Sequence, residues 1–220
     1  AGTVLSVLVT SFMAYLFTLP RMPARKFLYR MSVITMYVGG GLIPTFLVYK
    51  AYGLLNSFWV YIIPGALSVG NMILIKTYME NGIPESLGES ASLDGAGPMT
   101  VFWKIILPLC LPILATIALF VAVGQWNSWF DNMIYNSGSP QLDTLQYLLY
   151  KKLNDANKVA AAAKSGNVTV LGEMVARQMT LTPESVRLTM TMLVTLPVLC
   201  VYPFLQKYFV KGIMIGAVKG

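Results

Sequence analysis

A polar loop runs directly into a long apolar segment in residues 81–126, NGIPESLGESASLDGAGPMTVFWKIILPLCLPILATIALFVAVGQW. Its second part, 105–126, contains no Asp, Glu, Lys or Arg. A helix that crosses a bilayer needs about 20 mostly apolar residues, so this part is long enough to span one. The stretch therefore predicts a membrane-spanning helix that is entered from a structured polar loop.

The composition of the whole chain is typical of a membrane protein. Hydrophobic residues make up 56% and charged residues 11%, and the mean hydropathy is +0.64. A soluble domain carries about 25% charged residues, enough to cover its surface in water. The chain has no histidine, and its cysteines, Cys110 and Cys200, lie in apolar runs. This excludes nearly all zinc, haem and Cys–His chemistry, and we expect no catalytic residue and no metal site.

Four further segments are apolar and free of charged residues, so the sequence predicts an all-α membrane protein with a single transmembrane domain over 1–220. The five predicted spans are 1–19, 31–49, 58–75, 105–126 and 188–205.

Positive residues in short loops stay on the cytoplasmic side of a membrane. Basic residues without any acid separate spans one and two and follow span five: Arg21, Arg25, Lys26, Arg30, Lys207, Lys211 and Lys219. This pattern places the C-terminus and the loop 80–104 in the cytoplasm and the segment 127–187 outside. The net charge of +7 follows this topology, so nucleic-acid binding is not expected. Residue 1 then lies outside at the start of an apolar run, and we expect the chain to begin partway through a longer protein with an earlier span.

The loop itself is predicted to form two short helices. Pro84 suits the first helical position, Gly95 suits a left-handed helix stop, and Pro98 opens the second helix. Ser90 and Ala91 give the first helix a patch of small residues that would allow another protein to approach closely. An ordinary amphipathic helix at the membrane surface has the same pattern.

The loop resembles the EAA motif of ABC importer permeases, in which Glu-Ala-Ala is followed at fixed spacing by Gly and then by Ile-x-Leu-Pro. The matching residues are Glu89, Ser90, Ala91, Asp94, Gly95, Ile105, Leu107 and Pro108. Ser90 replaces an alanine of the motif, which exchanges one small residue for another.

The resemblance extends to the whole chain. The stretch VGQWNSW, 123–129, and the tail YPFLQKYFVKG, 202–212, resemble the maltose-type carbohydrate-uptake permeases and their oligosaccharide-importing branch. This implies a type I ABC importer permease bundle in the bacterial inner membrane, with five of six spans present here.

The resemblance also implies partners. The EAA loop would dock in a groove of a cytoplasmic ATPase, expected in two copies, with Glu89 pairing with a basic residue and with Asp94 and Gly95 setting the turn. ATP and magnesium would be bound by those ATPase subunits, because this chain lacks the Gly-Lys pair of a P-loop. A second homologous permease, an extracytoplasmic solute-binding protein and the lipid bilayer complete the expected partners.

Sugars are recognised by aromatic faces and by amides that bind hydroxyl groups. Candidate residues of a substrate path lie near the outer end of span four and within spans two and three: Gln125, Trp126, Asn127, Trp129, Tyr37 and Asn71. A tryptophan at this depth is equally typical of the aromatic belt that anchors a helix at the membrane interface.

The predicted function is the permease subunit of an ATP-driven importer of oligosaccharides derived from a pectin- or alginate-like polysaccharide. The alternatives are an ABC permease for another solute, such as a polyamine or an anion, and a secondary transporter. The latter would use charged residues inside its spans for ion coupling, and the predicted spans contain none.

Overall fold

The computed structural model describes residues 1–165 and 184–200, and this part of the chain is helical without β-strands. Its α-helices are α1 (Gly2–Leu16), α2 (Arg25–Thr35), α3 (Leu42–Ala51), α4 (Val69–Gly82), α5 (Glu85–Leu93), α6 (Pro98–Val101), α7 (Leu107–Leu109), α8 (Leu111–Trp126), α9 (Trp129–Tyr135), α10 (Leu145–Ser165) and α11 (184–200). A π-helical segment, Phe102–Ile106, joins α6 to α7, and 3-10 turns form at Phe58–Tyr61 and Pro140–Leu142.

The core lies where α1 packs against α4 and α8. Small residues line the buried face of α1 and let the helices approach closely, among them Ser6, Thr10 and Ala14. Phe102 fills the end of this core at 1% exposure. Its ring lies 5.4 Å from Phe12 in an edge-on contact. Aromatic pairs at this distance add to the stability that burial alone provides.

The chain bends by 81° between Pro98–Leu109 and Leu111–Trp126, and we call this bend at Cys110 the elbow. Pro108 and Pro112 lie on either side of it. A proline inside a helix has no N–H to donate, and its ring clashes with the carbonyl one turn earlier. The π-helical segment before Pro108 and the break at Cys110 are the usual consequences of such a defect.

The helix boundaries differ from the predicted spans where glycine and proline interrupt the chain. Residues 36–41 separate α2 from α3 inside the predicted span 31–49. In 58–75 the chain forms only a 3-10 turn before α4 begins after Ser68, whose Oγ accepts from the N–H of Asn71 at 3.4 Å. The predicted span 105–126 is divided by the elbow, and 201–205 of the last span lie outside the described residues, as does the basic tail.

The length of each described helix decides whether it could cross a bilayer alone. No single helix within 1–165 and 184–200 is both long and apolar enough to cross a membrane, whereas the bent pair Pro98–Leu109 and Leu111–Trp126 passes that test together. Two shorter helices, Gly2–Leu16 and Leu42–Ala51, are also apolar. The predicted number of spans stays a prediction.

Replacement of Phe102 by alanine is expected to destabilise the fold by about 3–5 kcal/mol, because it opens a cavity in the closed end of the core. Thermal unfolding of the purified protein in detergent measures this loss. Trp103→Ala is the matched control, because Trp103 follows Phe102 directly but is 51% exposed. Equal shifts in Tm for both variants would contradict the assignment of Phe102 to the core.

Candidate functional site

A cavity of about 350 Å³ lies between α1, α4, α8 and α9. Its wall combines tyrosine rings with hydroxyl, amide and carboxylate groups. The described residues that line it are Ser6, Tyr49, Val60, Tyr61, Pro64, Gly65, Ser68, Asn71, Phe120, Val121, Gly124, Gln125, Ser128, Asp131 and Tyr135. Mixed aromatic and hydrogen-bonding walls of this kind are typical of sites that hold a polar organic ligand.

Gln125 is fixed in the cavity wall by its neighbours. Its Nε2 donates to the carbonyl oxygen of Tyr61 at 3.1 Å. A Cβ added to Gly2 or Gly65 would lie 3.1 or 3.2 Å from the same Nε2, so both glycines leave room for the amide. The Oε1 of Gln125 is therefore left as the acceptor that can serve the cavity.

One face of the segment that includes α9 contributes three further residues, Ser128, Asp131 and Tyr135. Their spacing of three and four residues places them on one side of a helix. Ser128 donates its hydroxyl to the carbonyl of Gln125 at 2.8 Å. Partial burial raises the pKa of the Asp131 carboxyl above its ordinary value. Burial and then the charge of Asp131 raise the pKa of Tyr135, so its hydroxyl remains a neutral donor.

The helix α9 is also tied to the following loop by Asn132, which is completely buried. Asn132 Nδ2 donates to Asp143 Oδ1 at 3.1 Å, and Asn132 Oδ1 accepts from the N–H of Thr144 at 2.6 Å. Lys151 Nζ donates to Asp143 Oδ2 at 2.7 Å, and this hydrogen bond raises the pKa of Lys151. The start of α10 is thereby fixed relative to the cavity wall.

A second group of hydrogen bonds joins the end of α9 to the connection before the 3-10 turn Phe58–Tyr61. The N–H of Asn56 donates to the carbonyl of Tyr135 at 2.9 Å. Asn56 Oδ1 accepts from the N–H of Gly138 at 2.9 Å, and Asn136 Nδ2 donates to the carbonyl of Ser57 at 3.4 Å. These hydrogen bonds join segments far apart in sequence next to Tyr135 of the cavity wall, and we call this region, together with the Asp143–Lys151 pair, the rim.

The second candidate site, the loop 80–104, contains the two short helices that the sequence predicts. Pro84 has an extended backbone and precedes the helix rather than opening it, so α5 begins at Glu85. Gly95 has φ +84, which confirms the left-handed stop, because other residues are strained in this conformation. Pro98 lies at the start of α6, as predicted.

The two faces of α5 differ in what they contact. Ala91 is half-buried and packs against the core. Glu89, Ser90 and Asp94 are exposed. Leu93 is 89% exposed, which is unusual for a large apolar side chain beside a structured turn. The outward face of α5 thus offers Glu89, Ser90 and Leu93 to a partner.

The loop is anchored to the core by α1. The hydroxyl of Tyr15 donates to the carbonyl of Pro98 at 3.1 Å, and the ring of Tyr15 lies 5.2 Å from Phe102. Of the motif residues beyond Gly95, Ile105 and Leu107 pack against the core, whereas Pro108 is exposed next to the elbow. The loop and α1 are therefore joined by a hydrogen bond and by a ring contact.

The structure brings together two of the six residues that were predicted to form a substrate path. Asn71 and Gln125 both line the cavity. Trp126 faces α11, where its Nε1 donates to the carbonyl of Val194 at 3.3 Å, and Trp129 stacks on Tyr150 of α10 at 4.7 Å.

The other two predicted residues also lie away from the cavity lining. Asn127 is exposed, and its Oδ1 accepts from Gln146 Nε2 at 3.1 Å. Tyr37 lies in the connection between α2 and α3 and is 84% exposed, so it does not lie within a helical span.

Sequence reasoning missed seven of the polar side chains that line the cavity: Ser6, Tyr49, Tyr61, Ser68, Ser128, Asp131 and Tyr135. The spacing of Ser128, Asp131 and Tyr135 was a usable signal, because it predicts one face of a short helix. Leu93 was also missed as an exposed residue of α5.

Residues 6–136 match the family described as "Binding-protein-dependent transport system inner membrane component". The chain belongs to this family, which confirms the membership inferred from the loop motif.

Relatives and solved structures agree with this assignment. Protein LplC of Bacillus subtilis is 38% identical over 225 residues, which cover 100% of this chain and 70% of the relative. The polygalacturonan/rhamnogalacturonan transport system permease protein YtcP of Bacillus subtilis is 39% identical over 220 residues, covering 100% and 73%. A bacterial ABC transporter involved in the import of the acidic polysaccharide alginate has a chain with a TM-score of 0.70 at 28% identity, covering 94% of this chain and 71% of that chain. The fold is that of a type I ABC importer permease.

Replacement of Asn132 by alanine is expected to cost about 1–3 kcal/mol and to loosen the rim, because Asp143 and the N–H of Thr144 lose a buried partner. Limited proteolysis in detergent checks this, with faster cleavage expected between α9 and α10. Asn154→Ala is the control, because Asn154 is exposed on α10. Unchanged cleavage in the Asn132 variant would contradict a structural role for this residue.

Proposed function

We propose that this chain is the membrane-embedded permease subunit of an ATP-driven importer of oligosaccharides released from a plant or algal polysaccharide. The observation that carries this proposal is the family membership of residues 6–136, together with relatives named for polygalacturonan/rhamnogalacturonan and galactooligosaccharide transport. The solved alginate importer belongs to the same substrate class. In this role the chain moves the solute and performs no covalent chemistry.

The cavity is proposed as this chain's contribution to the substrate path. Asn71 and Gln125 supply amide groups, and Tyr49 and Tyr135 supply ring faces and hydroxyls. A cavity of about 350 Å³ has room for part of an oligosaccharide, so the remainder would contact a second, homologous permease.

The outward face of α5 is proposed as the docking surface for a cytoplasmic ATPase. Glu89 would form an ion pair with a basic residue there, Leu93 would fill an apolar depression, and the turn at Asp94 and Gly95 would hold the two short helices in register. Two ATPase copies, one per permease, would bind ATP and magnesium. Closure of the ATPases would push α5, and the Tyr15–Pro98 hydrogen bond would pass the movement to α1.

The remaining parts of the proposal concern the membrane. The basic residues of the sequence support a cytoplasmic position for the loop 80–104 and the C-terminus. The rim formed by Asn56, Asn136 and the Asp143–Lys151 pair would then face outward, where a solute-binding protein would deliver its ligand.

Reconstitution tests the function directly. The complete importer in proteoliposomes, with its binding protein and ATPases, should take up oligosaccharides only when ATP is supplied, and an ionophore at constant ATP should leave the rate unchanged. Uptake by ATP-free vesicles under an imposed ion gradient would contradict an ABC mechanism. Stimulation of ATP hydrolysis by amino acids but by no sugar would contradict the carbohydrate assignment alone.

The docking proposal predicts the behaviour of Leu93. Leu93→Asp should reduce substrate-stimulated ATP hydrolysis at least about tenfold, because it places a charge in an apolar contact with the ATPase. Leu93→Met keeps an apolar side chain and should retain most of the stimulation. The assay is ATP hydrolysis by the reconstituted importer with and without its loaded binding protein. Normal stimulation in the Leu93→Asp variant would place the ATPase contact elsewhere.

A further inference from the structure

The charge of the cavity is one-sided. Among the described residues that line it, Asp131 is the only acidic or basic one, and no lysine or arginine of the described part joins it. Because Coulomb interactions are strong in a partly dehydrated site, this single carboxylate dominates the electrostatics of any ligand in the cavity.

Three side chains of the cavity wall already use a hydrogen-bond donor within the protein. Ser128 and Tyr61 already donate their hydroxyls, to the carbonyls of Gln125 and Leu142 at 2.8 and 3.2 Å. Gln125 uses its Nε2 on the carbonyl of Tyr61 and keeps Oε1 free to accept. Asp131 and the Oε1 of Gln125 therefore offer lone pairs to the donors of a ligand, while the hydroxyls of Tyr49 and Tyr135 remain as donors in the same cavity.

Sugar hydroxyls and sugar carboxylates differ in the hydrogen bonds that they can form with Asp131. A pair of neighbouring hydroxyls can donate to the two oxygens of one carboxylate in charge-assisted hydrogen bonds. The carboxylate of a uronic acid has nothing to donate and is repelled by a like charge.

We propose that Asp131 is a specificity-determining residue that binds the hydroxyl groups of a neutral sugar unit and disfavours a uronate at this point of the path. This inference rests on the proposed function. It requires that an oligosaccharide from an acidic polysaccharide turns either a neutral sugar unit or the hydroxyl edge of a sugar ring towards α9 as it moves past. Acidic groups would be bound elsewhere in the importer.

Two trisaccharides that differ only at carbon 6 test the inference: trigalacturonate, and its carboxyl-reduced form, α-1,4-linked galactotriose. The complete importer is reconstituted in proteoliposomes with wild-type chain, Asp131→Asn, Asp131→Glu or Asp155→Asn. ATP-dependent uptake of each trisaccharide gives a kcat/KM value. Because all variants use the same binding protein, a change in the ratio of the two kcat/KM values reflects a change in the permease.

Asp131→Asn should lower kcat/KM for galactotriose about tenfold, the loss of one charge-assisted hydrogen bond, and should leave or raise the value for trigalacturonate. Asp131→Glu should keep the wild-type preference. Asp155→Asn makes the same charge change on α10, outside the cavity lining, and should alter neither value. The melting temperature of each complex shows that the variants are folded.

A preference ratio in Asp131→Asn equal to that of wild type would overturn the role of Asp131 and leave the importer assignment intact. If neither trisaccharide, nor any other oligosaccharide, supports uptake by the wild type, the proposed substrate class and the role of Asp131 are both overturned. Uptake of spermidine that disappears in Asp131→Asn would show a cation site instead.

Discussion

The elbow at Cys110 is the constraint on which the rest of the architecture depends. Pro108 and Pro112 remove backbone donors on either side of it, and the chain turns by 81°. One arm of the bend places Phe102 against α1, and the other runs along α1 and α4 as far as the cavity. Because both arms contact α1, the loop and the cavity share one rigid helix.

Local signals in the sequence predicted local structure well. Gly95 and Pro98 act through their own backbone conformations, and their positions were predicted correctly. The start of α5 was one residue off, because Pro84 fits either just before or just inside a helix. The resemblance of the loop to the EAA motif identified the family. The spacing of the motif residues is specific, and these residues lie on helices that follow one another in the chain.

The sequence was less informative where structure depends on distant contacts. Mean hydropathy cannot show that 31–49 is broken into two helices, because Gly39 to Gly41 are as compatible with close helix packing as with a break. Trp126 and Trp129 have the chemistry of a sugar platform, but they pack against α11 and α10. Asp131 and Tyr49 come together only because α9 folds back over the cavity, a contact that no periodicity of the chain encodes.

The buried face of α1 carries small residues, Ser6, Thr10 and Ala14, and ends in Tyr15. Ser6 lies in the cavity wall and Tyr15 holds the loop, about 14 Å further along the helix at 1.5 Å per residue. A helix that is closely packed along this length behaves as a stiff strut without a soft joint. Under the proposed function, mechanical work done on the loop would reach the cavity with little lost to bending, and the two ends of the strut would move in step.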